Sequence, residues 1–72
     1  MERTTFDLRG EYIELNQLLK LTGVCESGGQ GKQLVAEGLV LVDGQVELRK
    51  TRKIRPGQVV RFQDLEIEVV AP

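Results

Sequence analysis

Hydrophobic residues in the first half of the chain recur at helical spacing. Leu15, Leu18 and Leu19 lie at positions i, i+3 and i+4, which places them on one face of a helix. The polar residues of the same segment fall off that face: Asn16, Gln17 and Lys20. Gly23 follows at a position typical of a C-terminal cap. The pattern predicts a first helix at about 14–22.

A second helix is indicated after a short polar connection. Ser27 and Gln30 have the spacing of a capping box, in which the Ser27 hydroxyl accepts from the backbone N–H of Gln30 and the Gln30 side chain reaches back. The predicted helix, at about 28–37, carries one stripe of small and apolar residues: Gly31, Leu34, Val35 and Gly38. Glycine in a helix costs about 1 kcal/mol relative to alanine, so we expect Gly31 to lie where this helix packs closely on the first.

Segments near both ends of the chain have strand patterns. Residues 4–8 and 65–70 alternate between polar and apolar positions, and residues 59–62 are rich in β-branched and aromatic side chains. Pro56-Gly57 has the order typical of a type II turn. With the helices and a central hairpin, the element order is β-α-α-β-β-β-β, which predicts an α+β fold.

The central hairpin is indicated by its turn. Residues 39–42 form an apolar, β-branched run, and Asp43-Gly44 follows as a strong two-residue hairpin signal. The returning strand alternates, and we expect Val46 and Leu48 to face the core. Glu47 is then expected on the opposite face.

The charged residues are segregated along the chain. The net charge is −1, but six of the ten cations stand between residues 49 and 61, where no acid occurs. Five of them fall within residues 49–55, which we call the basic loop: Arg49, Lys50, Arg52, Lys53 and Arg55. Arginine makes bidentate contacts to phosphate, and a nucleic-acid backbone is the commonest partner of such a surface. We expect Ile54 to anchor the far end of this loop; a solvated loop without a binding role is the alternative.

The composition argues against an enzyme. The 72 residues include no histidine and one cysteine, which excludes histidine-based catalysis, a disulfide within the chain and a cysteine-cluster metal site. Glu26 and Gln33 stand where a phosphate-binding P-loop requires Gly and Ser or Thr. The backbone N–H groups at the start of the second helix, with Lys32 in its first turn, can still bind a phosphate. We therefore predict no catalytic residue, cofactor or metal.

Few other side chains suggest a catalytic or binding role. Cys25 has no histidine or predicted cation beside it, so we do not expect a nucleophile. The aromatic residues Phe6, Tyr12 and Phe62 are interpreted as packing rather than as base-stacking platforms, because they are few. A lone cysteine and the absence of an apolar run approaching the roughly 18 residues of a membrane span predict a cytoplasmic protein.

Four segments together resemble a known RNA-binding motif. They are residues 15–20, 27–35, 37–44 and 54–60. The most specific stretch reads LVAEGLVLVDG, at 34–44. Over about residues 13–60 the chain resembles the alpha-L RNA-binding motif, the domain type of the small-subunit ribosomal protein S-four. It is most similar to the small stand-alone bacterial members of the YbcJ-like family.

The resemblance implies two short helices packed on a small, mainly antiparallel, curved sheet, with RNA lying against the second helix and the basic loop. By position, it implies RNA contacts from Lys32 and Gln33 on the second helix. From the basic loop it implies contacts from Arg49, Lys50, Arg52, Lys53 and Arg55. Gly28 stands where many members of the family carry Arg, which removes a phosphate contact on the helix side.

These observations predict a single non-catalytic RNA-binding domain, residues 1–72. Its expected partner is structured RNA, ribosomal or otherwise folded, alone or within a ribonucleoprotein particle; no membrane or small-molecule substrate is expected. Two other functions stay open: an interaction module whose basic loop docks on an acidic protein, and an accessory subunit of an RNA-modifying enzyme. DNA also stays open, because backbone contacts alone discriminate poorly between nucleic acids.

Overall fold

A computed structural model of the chain describes residues 2–72. The elements in these residues are, in chain order, β1 Glu2–Asp7, β2 Ile13–Glu14, α1 Leu15–Leu21, α2 Gly28–Ala36, β3 Val40–Val42, β4 Gln45–Val46, β5 Lys53–Ile54, β6 Val59–Phe62 and β7 Leu65–Val70. Both predicted helices are present, and the α+β class is confirmed. The sequence pattern does not predict β2 and β5, because a strand of two residues has no measurable periodicity.

Five strands form one mixed sheet in the order β1-β7-β6-β3-β4, while β2 pairs with β5 in a second, two-stranded sheet. β1 runs parallel to β7, and the other neighbours in the larger sheet are antiparallel. Thr4 lies opposite Ile67, and Phe6 lies opposite Val69. The predicted strands near the two ends of the chain therefore pair with each other, and the sheet is mainly antiparallel.

The hydrophobic core joins the two helices to the larger sheet. Leu15, Leu18 and Leu19 are fully buried, which confirms the predicted apolar face of α1. They belong to one cluster with buried residues of α2 and the strands: Val35, Val40, Val60, Ile67 and Val69. No helix within residues 2–72 has the length and apolar character needed to span a membrane.

α2 begins with the predicted cap and packs closely on α1. The Ser27 hydroxyl accepts from the Gln30 N–H at 3.2 Å, whereas the Gln30 side chain accepts from the Glu26 N–H rather than that of Ser27. A Cβ atom at Gly31 would lie 3.1 Å from the backbone oxygen of Asn16. The expected close approach of the helices at Gly31 is confirmed.

Asn16 is not where the helical pattern places it. It was expected off the apolar face of α1, but it is only 6% exposed. The Gly31 turn of α2 covers its backbone, and the closest approach of the two helices therefore buries a polar residue. Its side-chain oxygen Oδ1 has no hydrogen-bond partner within the described chain.

The expected faces of the central hairpin are also wrong. Asp43 and Gly44 both have positive φ, 52° and 83°, as a tight two-residue turn requires. This turn pairs Leu41 with Val46, and Val40 and Val42 on either side of Leu41 are the buried residues of β3. Val46 therefore shares the outer face with Leu41 and is 57% exposed; Leu48 is 64% exposed.

Candidate nucleic-acid interface

The basic loop is fixed against the start of α1. The Leu15 N–H donates to the Arg52 carbonyl at 2.9 Å, and the Asn16 N–H donates to the Lys50 carbonyl at 3.1 Å. The first amides of a helix lack partners within it, and Glu14, the residue before α1, makes no side-chain capping bond. Carbonyls of the loop fill that role, so the loop backbone has a defined position on the helix.

The far end of the loop is anchored as predicted. Ile54 is fully buried and lies opposite Ile13 in the small sheet formed by β2 and β5. Lys53, beside it, lies opposite Glu14 in the same sheet. The side chain of Ile54 therefore holds the loop to the core while its neighbours Lys53 and Arg55 stay at the surface.

An acid that precedes the loop organises it. The Glu47 N–H donates to the Val40 carbonyl, and the Glu47 side chain is only 12% exposed. Its Oε1 accepts from Arg52 Nη1 at 2.6 Å, and its Oε2 accepts from the Arg49 N–H at 3.0 Å. The charge of Arg52 is thus partly balanced. Sequence reasoning missed this role because it placed Glu47 on the solvent face of the hairpin.

The other cations of the loop remain available. Arg49, Lys50 and Arg55 are exposed and form no ion pair within residues 2–72. Around Thr51 the surface is concave, with an open depression of about 520 Å³ lined by Arg49, Arg52 and Lys53 as well. Three of the five cations of the basic loop thus share one concave surface.

The helix side of the predicted site meets the loop at Asn16. Lys32 and Gln33 are exposed on α2, and Gln33 donates a side-chain hydrogen bond to Glu37 at 3.3 Å. Lys32 follows Gly31, which packs on the Asn16 backbone, while the Asn16 N–H holds the Lys50 carbonyl. One buried residue of α1 thus contacts both the basic loop and α2, at the residue before Lys32.

Arg61 does not belong to the loop, although it lies in the same basic run of the sequence. It stands on β6, between Leu41 of β3 and Glu66 of β7 in the sheet register. The continuous positive segment at 49–61 is therefore divided between a loop and a strand.

Exposed apolar side chains border the loop. A Cβ atom at Gly38 would lie 3.8 Å from side-chain carbons of both Val46 and Leu48, which shows that the two residues lie together at the end of α2. Leu39 is also exposed. The loop is thus flanked by an apolar surface that the sequence pattern assigned to the core.

The cysteine and two of the three aromatic residues lie where the sequence predicts, and the third aromatic residue is exposed. Cys25 is buried, and burial raises the pKa of its thiol, so it stays protonated at neutral pH. Phe6 and Phe62 pack against the core as expected. Tyr12 does not: it is 42% exposed, and the Lys53 Nζ lies 4.8 Å from the centre of its ring.

The fold agrees with the comparisons to known proteins. The family model described as the S4 domain matches residues 6–70, and the chain therefore belongs to the S4 domain family.

Among its relatives, the chain is 52% identical over 68 residues to YbcJ of Escherichia coli (strain K12), covering 93% of this chain and 97% of that protein. The solution structure of Escherichia coli YbcJ, described as an alpha-L motif involved in RNA-binding, superimposes with a TM-score of 0.70. The superposition has 46% identity and covers 99% of this chain and 89% of that one.

A second relative is RlbA of Bacillus subtilis (strain 168), whose name refers to ribosome maturation. It is 42% identical over 53 residues, which cover 74% of this chain and 75% of that protein. The resemblance to the alpha-L motif inferred from sequence is confirmed.

Proposed function

We propose that the chain is an RNA-binding module that engages structured RNA through the basic loop and the start of α2. The observation that carries this proposal is the docked loop. Its carbonyls hold α1 and its end is anchored by Ile54, yet Arg49, Lys50 and Arg55 stay exposed and form no ion pair with any residue between 2 and 72. A rigid cationic surface binds phosphates without the ordering cost of a flexible loop.

Each predicted contact has a role in this proposal. Arg49, Lys50, Lys53 and Arg55 bind phosphates from the loop, and Lys32, the fifth residue of α2, adds a charge from the helix. Gln33 offers a polar side chain to the same RNA. Arg52 contributes chiefly by holding the loop, because Glu47 already binds its guanidinium.

Structured RNA is the partner that the relatives favour. YbcJ is described as carrying a motif involved in RNA-binding, and the name of RlbA refers to ribosome maturation. An A-form helix is recognised through its shape, phosphates and 2′-hydroxyls, which suits a rigid cationic wedge. We therefore infer a folded RNA, ribosomal or within a ribonucleoprotein particle, in the cytoplasm.

We also propose that the role is binding without catalysis. Cys25 is buried as a protonated thiol, and Glu47 is engaged in fixing the loop. We take residues 13–60 as the core of this RNA-binding domain.

Salt-dependent titration tests the interface. For a folded ribosomal RNA fragment, log K should fall with log salt with a slope of about −3 to −5 if four to six cations contact phosphates. Arg49→Gln, Lys50→Gln and Arg55→Gln should each reduce the magnitude of that slope by about one.

Arg3→Gln is the matched control, because Arg3 is exposed and lies on β1, at the opposite edge of the five-stranded sheet from β4, which precedes the loop. Equal effects of Arg3→Gln and the loop variants would refute the loop as the interface. A DNA duplex of equal charge, titrated in parallel, measures the preference for RNA.

A second candidate function is docking on an acidic protein, which the apolar surface at Val46 and Leu48 favours. A complex isolated from cells that survives nuclease treatment and depends on Leu48 would support it. Loss of the complex on nuclease treatment would leave RNA as the partner.

A further inference from the structure

Tyr12 occupies an unusual place for a large aromatic side chain. It lies just before β2, is 42% exposed and makes no part of the buried core. The Lys53 ammonium nitrogen lies over the Tyr12 ring, 4.8 Å from the ring centre, so the ring borders the basic loop directly. The ring therefore lies at the edge of the surface that we assign to RNA phosphates.

An open depression of about 520 Å³ lies beside this ring. Its lining includes two acids, Asp7 and Glu14, together with Arg9 and Gln17. The carboxylates disfavour a phosphate at this point, but they accept hydrogen bonds from amino and imino groups. The chemistry of the depression thus differs from that of the neighbouring loop: it offers an aromatic face and acceptors for N–H donors.

We propose that Tyr12 and this depression bind an unpaired nucleobase of an RNA whose phosphates contact the basic loop. The inference rests on the proposed function and specifies its substrate: structured RNA with an unstacked base beside the helical part. Bases of unpaired segments stack on aromatic side chains and are read along their exposed edges. Lys53 holds the ring and provides a positive charge for the phosphate of the same nucleotide.

The sequence offers a clean optical probe for this site. Tyr12 is the only tyrosine and the chain has no tryptophan, so intrinsic tyrosine fluorescence reports on this ring alone. An RNA hairpin with an unpaired loop should change that fluorescence on binding. A continuous RNA duplex with the same number of phosphates should bind the basic loop and leave the fluorescence nearly unchanged.

Substitution of the ring gives the second readout. Tyr12→Leu should weaken binding of the hairpin by about tenfold, since it removes base stacking, and should change binding of the duplex by less than about twofold. Tyr12→Phe keeps the aromatic face and should retain hairpin affinity within about twofold. The salt slope should be unchanged in both variants, because neither alters a charge.

The outcomes separate this inference from the function on which it rests. Equal weakening of hairpin and duplex by Tyr12→Leu would overturn it, since the residue would then act only by placing Lys53. Unchanged fluorescence with the hairpin would overturn it as well. If Arg49→Gln and Lys50→Gln leave duplex affinity unaltered, the proposed function itself fails.

Discussion

An arginine–glutamate ion pair lies at each edge of the five-stranded sheet, but the backbone around the two pairs differs. At one end, Arg3 of β1 binds Glu66 of β7 at 3.0 Å. Beyond the other end, Arg52 of the basic loop binds Glu47 at 2.6 Å. The first pair spans two strands that are already matched over six residues each. The second spans a segment between two strands of only two residues, β4 and β5.

This difference shows that the value of an ion pair depends on what else determines the local geometry. The backbone pairing of β1 with β7 sets the positions of Arg3 and Glu66, so their ion pair adds little to the free energy of unfolding. In the loop no ladder exists between β4 and β5, and Glu47 holds both the guanidinium of Arg52 and the N–H of Arg49. One largely buried carboxylate therefore takes over part of the role that backbone hydrogen bonds play between paired strands.

The two edges of the sheet also differ in charge. The β1–β7 edge balances its arginine with Glu66 and also carries acids at Glu2 and Glu68. Within residues 2–72, Arg49 and Lys50 of the loop have no ion-pair partner. A polyanion is attracted to the loop and repelled from the opposite end of the sheet, although the net charge is −1.

The largest effect is expected from removing the anchor of the loop. Ile54→Ala should lower the free energy of unfolding by about 2–5 kcal/mol, because the side chain is fully buried. Urea denaturation followed by circular dichroism measures this. The N–H groups of Leu15 and Asn16, which bind loop carbonyls, should lose protection from hydrogen exchange before those of β7. A cost below about 1 kcal/mol would contradict the anchoring role.

A middle-sized effect distinguishes the two ion pairs directly. Glu47→Ala should cost about 1–2 kcal/mol, because it removes two hydrogen bonds that order the loop. Glu66→Ala, the matched variant in the ladder, should cost at most about 0.5 kcal/mol. Denaturation of both variants in the same buffer gives the comparison. Equal costs would show that the loop is held without Glu47.

The smallest effect tests the corrected hairpin. Leu48→Ala and Val46→Thr should each change the free energy of unfolding by less than about 0.5 kcal/mol, because both side chains are exposed. Thermal or urea denaturation is sufficient to measure this. A loss as large as that of Ile54→Ala would place Leu48 in the core, as the alternation of the sequence first predicts.

Several features of the site could be predicted because they depend on neighbours in the sequence. The spacing of Leu15, Leu18 and Leu19 places them on one face of α1 whatever the rest of the chain does. The Ser27 cap and the Asp43-Gly44 turn are likewise made by residues a few positions apart. The run of cations in the basic loop is visible without any structure.

The residues that were misplaced are those whose surroundings come from distant parts of the chain. The alternation of 45–48 indicates a strand but not which face is inward; the buried Val40 and Val42 of β3 decide that. Asn16 is buried because α2 crosses it at Gly31.

The two helices, the hairpin turn, the α+β class and the positive charge at 49–55 can all be predicted from the order of the residues. The docking of the loop on α1, the role of Glu47 and the contacts of Asn16 with the loop and α2 emerge only when the chain is folded. The two groups of features differ in the range of the interactions that produce them. Periodicity, caps and turns act over a few residues, whereas burial and loop docking depend on contacts between segments far apart in the chain.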